Sequence, residues 1–506
     1  MSDATCRTAS SSSTTRTVHL DSVMGPRMIG DAGKMRNRSI GIPGVQLDPL
    51  GSLGVAYTSR PMERRLYIET YGCQMNVADS ELMQGLLDRA GYTRVERADE
   101  ADVILVNTCA IREHAEQRIY GRLGELTRHK LRRPGVVLGV AGCMAQHLRA
   151  KLIERVPQLD LVVGPDGYRH LPELIDEARE EPTLAVRLSR VETYGDLVPA
   201  RADGVRAWVS IMRGCDKFCT FCIVPYVRGR ERSLPVGDVL RQVEHAAAEG
   251  FREIVFLGQT VNAYRDGDVD FAELLARANR VEGIVRIRFT SPHPSDMSDR
   301  AIEALAACEK VPPHVHLPLQ SGSNSVLERM RRTYTMEEYT ALVGRIRRAV
   351  PGVALSTDII VGFPGETAED FEATRVAMRR IGFESAFVFK YSPRSGARSA
   401  EWPETVDEEE KTRRITLLIE EQKGTSLLKN QADIGSIAQV LVEGPTRRNP
   451  LEWFGKSAHF KTTVFPHRGE SVGDLIPVRV ASATPHALLG EGVRAASFAA
   501  TEDATV

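Results

Sequence analysis

The sequence predicts an α/β protein with three folded domains in a row: a parallel sheet, a partial barrel of strand–helix units and a small antiparallel β-barrel. Three observations lead to this fold class. Short apolar runs alternate with helical segments from Leu66 onward, the alternation repeats in longer units between residues 205 and 430, and helical periodicity stops after Asp433. A chain of 506 residues has room for about three domains.

Residues 1–63 precede the first domain and have the composition of a disordered extension. They begin with a Ser/Thr run and continue without periodic apolar residues, so Met1 and Met62 are both open as start sites. Residues 498–506 are predicted to be a disordered tail. No apolar stretch approaches the ~20 residues that span a bilayer, and eight cysteines without a signal peptide fit a reducing cytoplasm.

The first domain, residues 64–190, reads as an open parallel sheet of the flavodoxin-like type. Its predicted strands are residues 66–70, 103–106, 136–140 and 161–163. Asp79 is the predicted N-cap of a helix that ends at Gly91, and a second helix is predicted over residues 113–130. Such alternation places helices on both faces of a parallel sheet.

Three cysteines each follow a predicted strand of this domain by a few residues: Cys73, Cys109 and Cys143. The carboxyl ends of parallel strands share one edge, where open α/β sheets bind ligands. We therefore expect the three thiols to converge and to hold an iron–sulfur cluster. The alternative is three unrelated buried cysteines.

The middle domain, residues 205–432, has six predicted strands, which are too few for a closed eight-stranded barrel. A partial, open barrel is expected, with its functional residues at the carboxyl ends of the strands. The predicted strands are residues 207–211, 253–257, 285–289, 315–319, 356–361 and 387–390.

Cys215, Cys219 and Cys222 lie just past the first strand of this barrel, in the spacing C-x3-C-x2-C. Three thiolates on one short loop can hold three irons of a [4Fe–4S] cubane and leave the fourth iron open. A structural zinc site would need a fourth ligand nearby, and no histidine lies between Trp208 and Leu240. A disulfide would leave one of the three unpaired.

Small and polar residues follow three other strands of the barrel, where a backbone could approach a cofactor closely. They are the candidate cofactor-binding residues Gly258, Gln259, Gln320, Ser321, Gly322, Gly362 and Gly365. Cations crowd the cysteine loop and suggest either a phosphate-binding patch or an ordinary solvated face. These cations are Arg206, Arg213, Lys217, Arg228, Arg230 and Arg232. His314 and His316 alternate on a strand and are either ligands or structural, and Cys308 is predicted to be a core thiol.

Residues 433–497 contain short strands at 437–442, 458–464 and 476–480, separated by Gly- and Pro-containing turns. A segment of this size is similar to oligonucleotide-binding barrels. Either an RNA contact or a capping or oligomerisation role fits its balanced charge.

The motifs of the chain resemble the radical S-adenosylmethionine methylthiotransferase family over residues 64–490. The cysteine loop matches the radical S-adenosylmethionine signature. The resembling segments are residues 72–76, 107–115, 142–146, 213–233, 317–323, 357–367, 391–396 and 440–445. Residues 109–115 (Cys-Ala-Ile-Arg-Glu-His-Ala) and 211–216 (Ile-Met-Arg-Gly-Cys-Asp) look most like members that act on isopentenyladenosine in tRNA.

The resemblance implies two [4Fe–4S] clusters, one on Cys73, Cys109 and Cys143 and one on the cysteine loop. S-adenosylmethionine would serve as methyl donor and as the source of a deoxyadenosyl radical, and C2 of N6-isopentenyladenosine beside the anticodon would receive the methylthio group. The C-terminal barrel resembles the TRAM module, which is associated with RNA binding.

The resemblance also sets the partners and the alternatives. We expect tRNA, through its anticodon stem-loop, and a reductant protein such as flavodoxin or ferredoxin, with a monomeric enzyme in the cytoplasm and no membrane. The sulfur donor is left open. Within the family, the alternatives are threonylcarbamoyladenosine tRNA and a ribosomal-protein aspartate as substrate. Outside it, an iron–sulfur electron-transfer protein would be expected to have fully ligated clusters.

Overall fold

A computed structural model describes residues 64–110, 113–202 and 204–493 of the chain. The predicted disordered segments, residues 1–63 and 498–506, lie outside the described residues. The described part is an α/β protein with an N-terminal parallel sheet, a central open barrel and a C-terminal closed barrel, which confirms the predicted fold class. Over these residues, none of the helices combines the length and the apolar character needed to cross a membrane.

The N-terminal sheet has six parallel strands, in the spatial order Thr93–Arg94, Arg65–Tyr71, Val103–Thr108, Val137–Gly142, Leu161–Val163 and Thr183–Ala185. The first five follow the flavodoxin-like order 2-1-3-4-5, and the direction of winding changes beside the strand Arg65–Tyr71. Its helices are Gln74–Arg89, Glu113–Arg132, Cys143–Leu148, Ala150–Arg155 and Leu171–Glu177. The strand Val103–Thr108 is buried along its whole length, as expected for a sheet covered on both faces.

The predicted start of the first helix at Asp79 is wrong. The helix begins at Gln74 with Cys73 as its N-cap, and Asp79 lies inside it with only 1% of its surface exposed. An aspartate inside a helix usually faces water, so the capping position was the better expectation. Here Asp79 forms ion pairs with Arg213 and Arg228 from the central domain, a contact that local sequence does not reveal.

The central domain confirms the predicted count of six main strands, arranged as two three-stranded parallel sheets. One sheet contains Arg206–Ser210, Glu253–Leu257 and Arg286–Phe289, and the other contains His314–His316, Ala354–Val361 and Ser385–Lys390. Two minor strand pairs are Met212–Arg213 with Arg232–Ser233 and Arg265–Asp266 with Val269–Asp270. The helices are Val224–Arg228, Val236–Ala248, Phe271–Ala278, Asp299–Ala307, Asn324–Arg329, Met336–Ala349, Ala368–Ile381 and Glu408–Ala432.

The apolar core of the central domain lies between the outer faces of these strands and the surrounding helices. Val209, Ile254, Ile287 and Ile359 contribute to it and are fully buried. Cys308 is buried in the same core, which confirms its prediction as a core thiol. The alternate residues of each strand therefore point into the barrel, and many of these are polar.

The C-terminal barrel is closed by five strands: Ile437–Pro445, Glu452–Ser457, Thr462–Pro466, Leu475–Ala483 and Ala487–Gly492. Pairing is antiparallel except between Thr462–Pro466 and Ala487–Gly492, which are parallel. The predicted strand 458–464 begins only at Thr462, because Phe460 adopts a φ of 64° in a tight turn. The strands Glu452–Ser457 and Ala487–Gly492 were not predicted.

The C-terminal barrel packs against the amino ends of the central strands. Arg286 donates hydrogen bonds to the carbonyl oxygens of Lys456 (2.6 Å) and Gln439 (2.7 Å). The ring of Phe460 stacks on His314, with centroids 5.2 Å apart. The C-terminal barrel therefore lies at the end of the central strands opposite to the cysteine loop.

Candidate functional site

Cys73, Cys109 and Cys143 come together at the carboxyl edge of the N-terminal sheet, because the three strands that precede them are neighbours. Cys73 caps the helix Gln74–Arg89, Cys109 directly follows the strand Val103–Thr108, and Cys143 is the first residue of its helix. Gly72, with φ of 140°, allows the close approach: a Cβ there would lie 2.6 Å from Cβ of Cys109. The first three-cysteine set is thus a property of the sheet topology.

The environment of this set favours ionisation at one thiol and opposes it at another. A hydrogen bond with the Cys109 side chain lowers the pKa of Cys73 to about 6, although burial acts in the opposite direction. Burial raises the pKa of Cys143, while the Arg228 guanidinium lowers it. Arg228 Nε donates a hydrogen bond of 3.1 Å to Cys143 Sγ, so the guanidinium would stabilise a thiolate at this position.

Cys215, Cys219 and Cys222 lie on the loop after the short strand Met212–Arg213, beside the carboxyl ends of the central strands. Phe218 has a φ of 49°, and the amide of Cys222 donates to the carbonyl of Cys219 at 3.0 Å, so the loop is tightly wound. Burial raises the pKa of Cys222 to about 12, and the nearby Cys219 adds to this. Binding to iron would supply the positive charge that a buried thiolate needs.

Residues after the neighbouring strands hold the cysteine loop in place. Gln259 Oε1 accepts a hydrogen bond of 2.5 Å from the amide of Gly214, and Thr260 Oγ1 lies 3.2 Å from Cys215 Sγ. Arg332 Nη1 donates a hydrogen bond of 3.4 Å to Cys219 Sγ. Each three-cysteine set therefore has one arginine that donates to a cysteine sulfur.

The candidate cofactor-binding residues all lie at this edge, but they differ in their surroundings. Gly258 and Gln259 contact the cysteine loop directly, and a Cβ on Gly258 would lie 2.6 Å from Met212 Cγ. Gln320, with φ of 73°, bridges to the strand Ala354–Val361, and the neighbouring Ser321 is fully buried.

At the remaining three glycines a larger residue would clash with neighbouring side chains or backbone of the protein. A Cβ on Gly322 would lie 2.5 Å from Thr374 Cα, and one on Gly365 would lie 2.5 Å from the Arg329 guanidinium. A Cβ on Gly362 would overlap the side chain of Lys411. Packing within the chain accounts for these glycines, so contacts with S-adenosylmethionine stay a prediction for all seven residues.

The predicted phosphate-binding patch around the cysteine loop is wrong, and so is the alternative of a solvated face. The six cations each have a carboxylate partner, and most are removed from solvent. The pairs are Arg206 with Glu253 and Glu443, Arg213 and Arg228 with Asp79, Arg232 with Asp166, Lys217 with Asp296, and Arg230 with Asp216. Only Arg230 is largely exposed, at 67%. Apart from Asp216, these carboxylates lie far from the cysteine loop in the sequence, so the local excess of arginine was misleading.

Arg213, Arg228 and Arg232 form instead a buried contact between the cysteine loop and the N-terminal sheet. Asp79 accepts from Arg213 at 2.9 Å and lies 2.8 Å from Arg228, while Asp166 pairs with Arg232 at 2.9 Å. All five residues are at most 9% exposed. Three cations face two carboxylates, so this contact carries one positive charge that no carboxylate of the set neutralises. Sequence reasoning missed this network.

The one positive charge that no carboxylate neutralises would suit an anionic iron–sulfur cluster beside it. Arg228 Nη2 is buried without a hydrogen-bond partner among the described residues, and the same guanidinium donates to Cys143. No three Cys, His, Asp or Glu side chains within the described ranges are placed to share a single metal ion. A cubane distributes its thiolate ligands over three irons, so a wider set of sulfurs beside a buried cation fits it.

The barrel interior contains an aromatic and polar set, of which the sequence singled out only His314 and His316. Phe387 is 57% exposed and its ring lies edge-on to His316, whose Nε2 is 3.3 Å from Asp358 Oδ2. His314 and His316 both contact Ser356 Oγ, and burial lowers the pKa of His314. Together with the stacked Phe460, the two histidines are part of a packed interior, and the described side chains around them form no ion site.

Replacing Asp79 by Asn should destabilise the protein by about 3–5 kcal/mol, because two buried guanidiniums would lose their shared anion. The measurement is the urea midpoint of unfolding. Asp99→Asn is the matched control: Asp99 pairs with Arg97 at the surface, where 45% and 68% of the two side chains are exposed, and such an exposed pair contributes little to stability. Equal midpoints for the two variants would contradict a stabilising role for Asp79.

Comparison with known proteins identifies two domain families within the chain. Residues 65–164 match the family model described as uncharacterized protein family UPF0004, and residues 209–376 match the radical SAM superfamily.

Two solved structures share the fold: the radical S-adenosylmethionine methyltransferase TsrM from Kitasatospora setae, and the cobalamin-dependent S-adenosylmethionine radical enzyme OxsB. TsrM has a TM-score of 0.52 and 16% identity, over 67% of this chain and 77% of its own. OxsB has a TM-score of 0.51 and 13% identity, over 63% of this chain and 52% of its own.

Curated relatives are much closer in sequence. The tRNA-2-methylthio-N(6)-dimethylallyladenosine synthase of Syntrophomonas wolfei is 45% identical over 439 residues, which cover 85% of this chain and 98% of that relative. The enzyme of the same name from Parabacteroides distasonis is 44% identical over 439 residues, with 85% and 96% coverage. The similarity extends over nearly the whole length of these relatives.

Proposed function

This chain belongs to the family of the tRNA-2-methylthio-N(6)-dimethylallyladenosine synthases, which are radical S-adenosylmethionine transferases, and we propose that it methylthiolates C2 of N6-dimethylallyladenosine (isopentenyladenosine) beside the anticodon of tRNA. One observation above all supports the reaction: two three-cysteine sets lie on adjoining sheet edges and are connected through Arg228. Three ligands for each cubane leave one iron open at each site.

We assign Cys215, Cys219 and Cys222 to the cluster that binds S-adenosylmethionine, and Cys73, Cys109 and Cys143 to the cluster that delivers sulfur. When bound, the cluster on the cysteine loop would supply one-electron reduction, and the cluster on Cys73, Cys109 and Cys143 would supply a sulfur-carrying iron. The protein covers part of each set, since Cys143, Cys215 and Cys219 are buried while Cys73, Cys109 and Cys222 are partly exposed. S-adenosylmethionine serves both as methyl donor and as radical source.

The barrel interior would receive the nucleobase. Phe387 offers an exposed aromatic face, and stacking of a base on such a ring contributes about 1–3 kcal/mol. A base in the anticodon loop is already single-stranded, so moving it into the barrel costs little pairing energy. Gly258, Gln259, Gln320, Ser321, Gly322, Gly362 and Gly365 remain our candidates for the edge that contacts S-adenosylmethionine.

The C-terminal barrel, which resembles a TRAM module, would bind tRNA away from the modified base. It lies at the opposite end of the central strands from the cysteine loop, and several of its cations are already neutralised. Lys461 pairs with Glu384 and Asp433, and Arg468 with Glu491. Arg447 and Arg448 are exposed, and neither forms an ion pair or hydrogen bond within the described residues.

Arg447→Gln and Arg448→Gln should each weaken tRNA binding and lower the slope of log affinity against log salt by about 1, because one phosphate contact is lost. Fluorescence anisotropy with labelled tRNA at several salt concentrations measures both effects. Arg468→Gln is the matched control, since it removes the same charge from the same barrel at a position already paired with Glu491. Equal affinity and equal slope in all three variants would contradict RNA binding by this surface. Point variants are preferable to deleting the barrel, because deletion would expose Arg286 and Arg288.

We further propose that the enzyme acts as a monomer in the cytoplasm and receives electrons from a reductant protein such as flavodoxin or ferredoxin. The cysteine-rich sites support a reducing compartment, since their thiols must stay free for iron. The sulfur donor is not assigned.

The reaction itself is tested with anaerobically reconstituted protein, a chemical reductant and S-adenosylmethionine. The substrate is tRNA that carries N6-dimethylallyladenosine without a methylthio group, and its nucleosides are analysed by mass spectrometry. A methylthio gain on that nucleoside is expected. If deoxyadenosine forms while the nucleoside stays unchanged, the substrate assignment is wrong, and threonylcarbamoyladenosine tRNA and the ribosomal protein are tested in the same assay.

A further inference from the structure

Arg228 connects the two three-cysteine sets through one buried side chain. It ends the helix Val224–Arg228, which begins two residues after Cys222, and its backbone therefore belongs to the cysteine loop segment. Its guanidinium extends to the other set, where Nε donates to Cys143 Sγ at 3.1 Å and Nη1 lies 2.8 Å from Asp79 Oδ2. Only 3% of the residue is exposed.

The charge balance around Arg228 calls for a second anion besides Asp79. Asp79 already accepts a hydrogen bond from Arg213, and Nη2 of Arg228 is buried without a hydrogen-bond partner in the described part of the chain. A buried cation is stable only when it is paired and hydrogen-bonded. Nε of the same guanidinium donates to the sulfur of Cys143, which is anionic when it binds iron.

We propose that Arg228 is a positioning residue that donates a hydrogen bond to the Cys143 sulfur of the first cluster and raises the reduction potential of that cluster. The inference rests on the proposed cluster at Cys73, Cys109 and Cys143. Reduction adds an electron to the cluster, and a neighbouring cation and N–H donor stabilise the more negative, reduced form. Hydrogen bonds to the sulfurs and net charge are established determinants of such potentials.

The same chain offers an internal reference for this effect. Arg332 donates to Cys219 Sγ at 3.4 Å in the cysteine loop, so each cluster has its own guanidinium. A change at Arg228 should alter the potential of the first cluster and leave the second at its original value. A change at Arg332 should do the reverse.

The test is a redox titration of the full, reconstituted chain followed by electron paramagnetic resonance. Signals are assigned with a variant in which Cys215, Cys219 and Cys222 are Ala, so that only the first cluster assembles. Arg228→Gln removes the charge, and Arg228→Lys keeps the charge but loses the planar donor geometry. Arg232→Gln is the matched control, because Arg232 is a buried arginine of the same contact that pairs with Asp166 and touches no cysteine sulfur.

In Arg228→Gln we expect at least a tenfold fall in the ratio of reduced to oxidised first cluster at fixed ambient potential, which is about 59 mV for a one-electron couple. Arg228→Lys should give an intermediate value, and Arg232→Gln the original one. If Arg228→Gln does not retain the cluster, the reduction potential of Arg228→Lys is compared with that of the unaltered chain instead. An unshifted potential in the variant that retains the cluster overturns the proposal, as does an equal shift in Arg232→Gln.

Iron and sulfide analysis separates this result from a failure of the proposed function. If the unaltered chain holds only one cluster, or if the Cys-to-Ala variant holds none, the assignment of Cys73, Cys109 and Cys143 is wrong. If both clusters are present and the potentials do not respond to Arg228, the assignment stands and the role of Arg228 does not.

Discussion

Cys219→Ala is expected to abolish cleavage of S-adenosylmethionine to below detection and to halve the iron content of the reconstituted chain. Cys219 is one of three thiols on the cysteine loop, and it is the one whose sulfur accepts a hydrogen bond from Arg332. With two ligands left, the loop can no longer hold three irons of a cubane. Deoxyadenosine formation under reducing, anaerobic conditions measures the cleavage.

Cys308→Ala serves as the control for this variant. Cys308 is a buried thiol of the same domain, but it lies in the apolar core between strands and helices, away from both three-cysteine sets. The control should keep the full iron content and the full rate of deoxyadenosine formation. Persistent deoxyadenosine formation by Cys219→Ala would show that the cluster is ligated elsewhere.

The parts of this site that the sequence could predict are those that depend on short spacing or on strand periodicity. Cys215, Cys219 and Cys222 are adjacent in sequence, and their spacing alone indicates a cubane site. Cys73, Cys109 and Cys143 are far apart in sequence, yet each follows a strand of the same sheet, and the rule that parallel strands share a carboxyl edge brings them together. The structure confirms the parallel pairing that this argument used, and it shows in addition that the three strands are neighbours.

The parts that could not be predicted depend on contacts between residues distant in the chain. Asp79 looks like a helix cap, and only its ion pair with Arg213, 134 residues away, explains its burial inside the helix. Arg213, Arg228 and Arg232 look like a binding surface in the sequence, because the carboxylates that pair with them, Asp79 and Asp166, come from the N-terminal domain. Phe460 belongs to a predicted strand, but in the structure it forms the turn that stacks on His314.

These misread residues share a physical cause. A charged or aromatic side chain has the same local pattern whether it faces solvent or a neighbouring domain, and hydrophobic periodicity carries no information about which of the two applies. Polar contacts join the three domains beside apolar ones: Arg228 pairs with Asp79, and Arg286 donates to backbone carbonyls of the C-terminal barrel, while Met75 packs against Val255 and Leu257. An interface built from buried arginines is therefore the feature of this fold that sequence patterns conceal most completely.

Cys109→Ala is expected to leave cleavage of S-adenosylmethionine intact and to abolish methylthiolation of the tRNA. Cys109 lies next to Cys73 at the edge of the N-terminal sheet, and it is not part of the cysteine loop that we propose binds S-adenosylmethionine. Loss of its thiol removes one ligand of the first cluster and also the hydrogen bond that keeps the pKa of Cys73 low. The chain should then bind half of its iron, produce deoxyadenosine and release the nucleoside without added sulfur.

Cys219→Ala and Cys109→Ala together separate the roles of the two sites. Both should bind the same reduced amount of iron, but only Cys109→Ala should still cleave S-adenosylmethionine. Mass spectrometry of the tRNA nucleosides and assay of deoxyadenosine in the same reaction give both readouts. A normal methylthio product from Cys109→Ala would refute the two-cluster assignment, and loss of deoxyadenosine from that variant would show that the N-terminal set supports radical formation itself. If the two clusters have separate open irons, Cys109→Ala must retain cleavage of S-adenosylmethionine while it loses methylthiolation. The reason is that each cluster would serve a different bond: one the carbon–sulfur bond broken in S-adenosylmethionine, the other the carbon–sulfur bond formed at C2.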